Sequence, residues 1–144
     1  MALCRLLHEE NGIYSMSETK VRDQITSMLS RDNGLIGLIG ERGNLEGCIA
    51  MVIDCMWYSE VDYHLLELFN FVHPNYRTPP GRAKALIEFA KHCSDELHIP
   101  LQIGIISNSR TEAKVRLYQR QLPQVGAFFL YGAVTGRAGT EDGQ

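Results

Sequence analysis

The fold is decided by residues 67–90, which read ELFNFVHPNYRTPPGRAKALIEFA. An apolar run ends in a proline- and glycine-rich turn, and an amphipathic pattern follows with Arg82 and Lys84 in its first turn. The stretch therefore predicts a strand, a sharp turn and a helix with a basic start. Because a helix N-terminus combines unpaired amides with the positive end of the helix dipole, such a turn is typical of a phosphate site. An ordinary proline-glycine turn with solvated cations is the alternative.

The residues before this stretch predict two helices and a β-hairpin. Residues 2–10 predict a short helix. Ser15 and Glu18 have capping-box spacing, and apolar residues at 21, 25, 28 and 29 predict an amphipathic helix that Asn33 and Gly34 end. Residues 34–41 and 45–59 flank a turn at 42–44 and predict the hairpin, and residues 63–72 predict a third strand.

The residues after the stretch predict a strand, a helix and a last strand. The run LQIGII at 101–106 is typical of a covered strand, and Ser109 and Glu112 have capping-box spacing before a helix that Pro123 closes. Residues 125–134, VGAFFLYGAV, predict a final strand, and we expect residues 135–144 to form a disordered tail after one domain over 1–134. The strand-helix-strand order predicts parallel neighbours.

Composition excludes several classes of protein. The chain has 144 residues, of which 44% are hydrophobic and 22% charged, as in a soluble globular domain. Its net charge of -3 argues against a general nucleic-acid binder. No apolar run is long enough for a membrane span and no signal peptide is recognisable, so we expect a cytoplasmic protein. Four dispersed cysteines predict neither a zinc site nor a disulfide framework, and no metal is expected.

Two motifs resemble those of the GNAT N-acetyltransferase superfamily. Residues 72–77, VHPNYR, and 81–87, GRAKALI, resemble its Val-x-Pro-x-x-Arg lead and the Gly-x-Gly/Ala turn that receives the acetyl-CoA pyrophosphate. Residues 116–120, RLYQR, and 125–129, VGAFF, are similar to its Leu-Tyr helix and the strand after it. Two departures are a turn lengthened by one residue at 78–80 and an Asn108 that lies ten residues before Tyr118 instead of seven.

The resemblance covers residues 15–134 and implies both a fold and a cofactor. The fold is α/β (α+β in some classifications), one domain with a mixed central sheet flanked by helices. The cofactor is acetyl-CoA as acetyl donor. The resemblance implies that its phosphates and pantetheine arm are held by residues of the strand and turn, namely Phe71, Val72, His73, Arg77, Gly81, Arg82, Ala83 and Lys84, and by Asn108 further along the chain.

Glu67 is the first candidate for the general base that takes a proton from the acceptor amine. It lies in an otherwise apolar strand, where desolvation would raise its pKa toward neutrality. Strand alternation would place it on one face with Leu65, Phe69, Phe71 and His73. A carboxylate on the solvent side of a half-exposed strand is the alternative reading. His64 is the second candidate for the base.

Tyr118 resembles the tyrosine that the family places near the acetyl-CoA sulfur, where it would act as general acid. A helix tyrosine packed on the core is the alternative.

Neither Cys48 nor Cys93 lies beside a recognisable base in the sequence, which favours direct transfer in a ternary complex over a covalent enzyme intermediate. We expect an N-acetyltransferase acting on a primary amine of a small molecule or protein, possible as a homodimer through the apolar last strand. A catalytically inactive CoA-binding or interaction module, and an unrelated anion-binding protein, are the alternatives.

Overall fold

A computed structural model of the chain describes residues 1–30, 32–105 and 110–132. Within them the helices and strands follow the order α1 (Ala2–Asn11), α2 (Glu18–Leu29), β1 (Gly34–Glu41), β2 (Asn44–Cys55), β3 (Tyr63–Val72), a 3-10 turn (Pro74–Tyr76), α3 (Arg82–Leu97), β4 (Leu101–Gln102) and α4 (Thr111–Gln119). The predicted hairpin, third strand and basic-ended helix are therefore confirmed.

The four strands form one mixed sheet in the order β1-β2-β3-β4. β1 and β2 are antiparallel across the turn at 42–43, where Gly43 has φ of 87°, and β2 and β3 are antiparallel as well. β4 pairs with β3 in parallel, through Leu65 opposite Leu101 and Leu66 opposite Gln102. Because parallel strands need a crossover, α3 connects these two. The prediction of a mixed sheet flanked by helices is confirmed.

Two apolar clusters cover the two faces of the sheet. One includes Ile49 and Val72 and packs against α3, and the other includes Cys48 and Phe71 and packs against α1 through Leu3. Because Cys48 and Ile49 are consecutive residues of one strand, their side chains lie on opposite faces. α1 and α3 therefore lie on opposite sides of the sheet.

β3 carries a β-bulge that overturns the predicted alternation around Glu67. Phe69 pairs with Ala50 and Glu67 with Met51, so Leu68 has no partner in the register. One extra residue reverses the facing of everything beyond it. Leu65 accordingly packs in the α3 cluster whereas Phe71 packs in the α1 cluster. The expectation that Glu67 shares one face with Leu65, Phe69, Phe71 and His73 is therefore wrong.

The helix starts also differ from the predicted capping boxes. The N-cap of α2 is Ser17, whose hydroxyl accepts a hydrogen bond from the amide of Lys20 at 3.3 Å. The carboxylate of Glu18, expected to complete a box with Ser15, accepts two hydrogen bonds from Arg5 at 2.6 and 2.9 Å instead. The N-cap of α4 is Arg110, without a side-chain cap, and α4 ends at Gln119.

The predicted last strand does not form over residues 125–132, where no strand is assigned and most large apolar side chains are exposed. β4 is also shorter than the predicted run, because it includes only Leu101–Gln102. Asn108, Ser109 and the predicted tail at 135–144 lie outside the described residues. Among the helices described, none is both long and apolar enough to cross a membrane.

Candidate active site

A cavity of about 390 Å³ lies where β3 and β4 part. The two strands pair only as far as Gln102, whereas β3 continues to Val72. Chain segments 66–70 and 102–105 line the gap between them, and residues of α1, α2 and α4 together with Phe128 contribute to the walls. The charged and hydrogen-bonding side chains that line it are few, namely His8, Asn11, Glu67, Asn70, Gln102, Lys114 and Tyr118.

Glu67 lies beside the bulge and lines this cavity. Its Oε2 accepts a hydrogen bond from the amide of Gly104 at 3.4 Å. Burial raises the pKa of the carboxyl to about 7, and the hydrogen bond from Gly104 opposes that rise only in part. At neutral pH the carboxyl group is therefore distributed between its protonated and ionised forms, as suits a group that exchanges protons.

Tyr118 reaches the same cavity from α4. The side-chain amide of Asn70 donates a hydrogen bond to its Oη at 2.8 Å. Burial and the nearby charge of Glu67 raise the pKa of the phenol, while the bond from Asn70 acts in the opposite direction. The phenol therefore keeps its proton at neutral pH, and its O–H remains a donor while the oxygen accepts from Asn70.

Asn70 is a site residue that the sequence analysis missed. It lies on β3, three residues after Glu67, and is half-buried. The pattern that indicates Glu67 also applies to Asn70, because both are polar residues inside the apolar run of 65–72. What distinguishes Asn70 is its hydrogen bond to Tyr118, 48 positions away, which no local sequence pattern reveals.

Lys114 adds a cation to the wall formed by α4. Its ammonium group contacts the side-chain carbonyl of Asn11 and lies 4.0 Å from Glu10 Oε1. Burial lowers the pKa of Lys114, and the charge of Glu10 opposes the lowering. The end of α1 thus supplies partners for a residue of the cavity wall.

The predicted phosphate turn offers unpaired amides at the start of α3. Gly81 is the N-cap with φ of 136°, and a side chain added there would meet nothing within 4 Å. Within the described part of the chain, the amides of Arg82, Ala83 and Lys84 have no backbone acceptor. Three such amides before open space fit the oxygens of a phosphate group.

The two arginines of the turn are engaged within the protein. Arg77 donates to Glu10 Oε2 at 2.7 Å and to the carbonyl of Val72 at 3.1 Å. Arg82 donates to Glu46 Oε2 at 2.5 Å and to the carbonyl of Tyr76 at 3.1 Å. Lys84 is exposed and has no ion pair among the described residues. Of the three predicted cations, Lys84 is therefore the one left available to a ligand.

The pantetheine-binding residues stay a prediction, with one constraint. The amide of His73 donates to the carbonyl of Glu46 at 2.8 Å, so it is already used within the protein. The side chains of Phe71 and Val72 are buried in the two clusters. Beyond Leu66, however, the β4-facing edge of β3 has no strand partner in the described ranges. An extended ligand has room to bind along that edge.

Other candidates lie elsewhere or have unsuitable chemistry. His64 is not among the residues that line the cavity. Cys4 does line it, but burial raises the pKa of its thiol, and burial raises that of Cys48 to about 12. Neither thiol is therefore activated as a nucleophile at neutral pH. The described residues contain no cluster of three or more side chains suited to hold a metal ion.

The fold is that of known acetyltransferases. The structure is similar to an acetyltransferase described as putative from Agrobacterium tumefaciens (TM-score 0.65, 12% identity, covering 91% of this chain and 89% of that one). It is similar to the aminoglycoside acetyltransferase meta-AAC0020 from an uncultured soil sample, solved with sisomicin (TM-score 0.64, 13% identity, 94% and 85%). It is also similar to AAC(6')-Iy, solved with the bisubstrate analog CoA-S-monomethyl-acetylneamine (TM-score 0.63, 15% identity, 82% and 81%). No protein-family model and no curated protein sequence matches the chain.

Proposed function

We propose that this chain, which has the fold of the GNAT acetyltransferases, transfers an acetyl group from acetyl-CoA to a primary amine. One observation carries the proposal. The chain brings a carboxyl group with a pKa of about 7 and a protonated phenol into one cavity, from two segments about 50 residues apart. Amine acetylation requires a proton acceptor and a proton donor at one site.

The start of α3 would hold the cofactor by its phosphates. Acetyl-CoA supplies an acetyl group activated as a thioester. The unpaired amides of Arg82, Ala83 and Lys84 and the charge of Lys84 suit its pyrophosphate. The solved complex of AAC(6')-Iy with a CoA-containing bisubstrate analog supports the view that this fold admits such a ligand.

Glu67 would act as the general base. An alkylamine has a pKa near 10.4 and is protonated at neutral pH, so a proton must leave before its nitrogen can attack. The ionised form of Glu67 takes that proton, directly or through a water molecule. Because the pKa of Glu67 is about 7, the ionised fraction and hence the rate should rise as the pH increases through that value.

Tyr118 would act as the general acid. As the new N–C bond forms and the C–S bond breaks, its Oη gives a proton to the leaving sulfur. The hydrogen bond from Asn70 at 2.8 Å stabilises the negative charge that develops on Oη. The ammonium group thus loses its first proton to Glu67 before the nitrogen attacks. After Tyr118 has protonated the sulfur, its phenolate takes the second proton from the nitrogen of the new amide. The step therefore yields the amide, the free thiol of CoA and one proton held by Glu67, without a covalent enzyme intermediate.

Ligand-induced stabilisation tests whether the cofactor binds at all. Acetyl-CoA or CoA at 100 times its dissociation constant should stabilise the folded chain by about 2.7 kcal/mol. This rise is measurable as a shift of the melting temperature. A chain that does not respond to either compound would contradict the proposal.

Thiol release from acetyl-CoA in the presence of a panel of primary amines then tests transfer. Binding of the cofactor without thiol release in the presence of any amine would identify a catalytically inactive CoA-binding module.

Three variants test the assigned roles once thiol release is seen. Glu67→Gln and Tyr118→Phe should lower the turnover number by about 100-fold or more while sparing acetyl-CoA binding. Asn70→Leu should lower it as well, because it removes the donor to Oη. Tyr76→Phe is the matched control, since that hydroxyl donates to Asn44 at 3.0 Å and Tyr76 does not line the cavity. An unchanged rate for Glu67→Gln would contradict the assignment of Glu67 as the base.

A further inference from the structure

We propose that the acceptor is a monoamine on a compact apolar body and that the cavity selects against amines with further positive charges. The inference rests on the proposed function, because the cavity that holds Glu67 and Tyr118 is where donor and acceptor would meet. It goes further by naming the chemical class of the acceptor.

The charges on the cavity wall favour one ammonium group and no more. Among the described residues that line the cavity, Glu67 is the single carboxylate. As the proposed base it interacts with the reacting amine, so it does not pair with a second ammonium group. The other charged side chain in the same set is Lys114, a cation. Glu10, which lies 4.0 Å from Lys114, also binds Arg77 at 2.7 Å and does not itself line the cavity. A second ammonium group of the acceptor would therefore face a like charge and find no further carboxylate among the described lining residues.

The remaining walls favour an apolar body next to the amine. Aliphatic and aromatic side chains line the cavity on every side: Leu7 from α1, Val21 from α2, Leu66 and Phe69 from β3, Ile105 and Phe128. Burying a hydrocarbon body against such walls is favourable in proportion to the apolar area removed from water. Each methylene of the acceptor that enters should thus improve binding.

The size of the cavity favours a compact acceptor. Its volume of about 390 Å³ is near the lower end of the range of about 300–1,000 Å³ that ligand pockets span. Under the proposed function the same space must also admit the acetyl group of the donor. A monoamine with one ring or one short chain suits what is left.

A matched pair of amines tests the inference on the intact chain. n-Hexylamine and cadaverine share one reacting amine on a five-carbon linker and differ at the far end, which is a methyl group in one and an ammonium group in the other. We expect kcat/KM for hexylamine to exceed that for cadaverine by at least about tenfold in the thiol-release assay. Spermidine and an aminoglycoside should be poorer still, and phenethylamine should be acetylated at least as well as hexylamine.

A pair of variants tests whether the charge of the cavity sets this preference. Leu68 lines the cavity and is 43% exposed, so Leu68→Glu adds a carboxylate there at little cost to the core. It should reduce the ratio of hexylamine to cadaverine several-fold. Leu97→Glu is the control, because Leu97 is 42% exposed at the end of α3 and does not line the cavity. It should leave the ratio unchanged.

The two proposals fail in different ways. Thiol release that is equal or faster with cadaverine or spermidine would overturn the inference and leave the acetyltransferase proposal standing. An absence of release with every amine would overturn the acetyltransferase proposal and, with it, this inference. The wild-type ratio alone decides the matter if Leu68→Glu fails to fold.

Discussion

Glu67 owes its chemistry to its position next to a bulge in a strand that is otherwise apolar. Burial raises the pKa of its carboxyl from an ordinary value of 4.5 to about 7, which is the range a general base needs at neutral pH. Asn70 and Tyr118 form a second polar pair within the same cavity. Each of these polar groups has a partner inside the protein, so the site combines burial with hydrogen bonding.

The raised pKa of Glu67 predicts a pH-dependent stability. The folded state binds the proton of Glu67 more tightly than the unfolded state, so protonation of this carboxyl stabilises the fold. That contribution is complete below pH 4.5 and is lost as the pH rises through about 7. Glu67→Gln mimics the protonated form, so the variant should gain up to about 3 kcal/mol in unfolding free energy over the wild type across this interval. Urea unfolding of both proteins between pH 4.5 and 8.5 measures the difference.

Glu41→Gln, at an exposed carboxylate near the end of β1, is the control for removing a negative charge. If the difference in unfolding free energy between wild type and Glu67→Gln stays constant over the whole pH interval, the assigned environment of Glu67 is contradicted.

The connection between β3 and α3 is the element that leads into the proposed phosphate site. Arg77 forms an ion pair with Glu10, and Arg82 forms one with Glu46. Lys84, in the first turn of α3, is exposed. Arg77 and Arg82 also lie over the rings of Phe71 and Tyr76, at 5.3 Å from each centroid. The arginines therefore shape the turn, and the backbone amides of α3 are left to face a ligand.

Gly81→Ala tests the backbone of this turn. Gly81 has φ of 136°, a conformation that residues with a side chain rarely adopt, so the variant should lose about 1–3 kcal/mol of unfolding free energy. It should also bind CoA more weakly, because strain at the N-cap displaces the first amides of α3. Chemical denaturation and CoA titration measure the two effects.

Gly126→Ala is the matched control for that variant. A side chain added at either glycine would meet nothing within 4 Å, but Gly126 lacks the positive φ of Gly81. The control should therefore be close to wild type. Equal stability for the two variants would show that φ at Gly81 is not a source of strain.

Taken as a whole, the molecule closes its cavity with parts that are far apart in sequence. Glu10 of α1 binds Arg77 of the turn at 2.7 Å and lies 4.0 Å from Lys114 of α4. This ionic cluster connects three segments around the cavity, and its members are only 22–28% exposed. It therefore joins α4, which carries Tyr118, to the proposed cofactor turn.

Glu10→Gln should destabilise the molecule through this cluster. Removing the charge weakens the hydrogen bond from Arg77 and reduces the attraction that offsets the repulsion between Arg77 and Lys114. We therefore expect the free energy of unfolding, measured in urea, to fall by about 1.5–3 kcal/mol. Glu18→Gln is the control, because the pair of Glu18 with Arg5 is almost half exposed and should contribute at most about 1 kcal/mol. Similar losses in both variants would contradict a special role for the cluster.

Local sequence signals predicted most of the elements but few of their contacts. Turn residues at 33–34, 42–44 and 79–81 mark the ends of elements, and hydrophobic periodicity separates α2 and α3 from the strands. The apolar run at 125–134 was mistaken for a strand because periodicity does not reveal whether a pairing edge is present. Ser15 was mistaken for a cap because Glu18, which completes the motif, binds Arg5 instead.

The sequence by itself determined the order of elements from α1 to α4, the basic turn and two polar candidates, Glu67 and Tyr118, because each depends on local patterns or a short motif. Only the tertiary structure decided that the two share a cavity, that Asn70 binds Tyr118 and that Glu10 holds Arg77. The physical reason is that burial, pKa and pairing depend on neighbours supplied from distant parts of the chain. A single unpaired residue, Leu68, reverses the facing of half a strand, and no periodicity predicts its position.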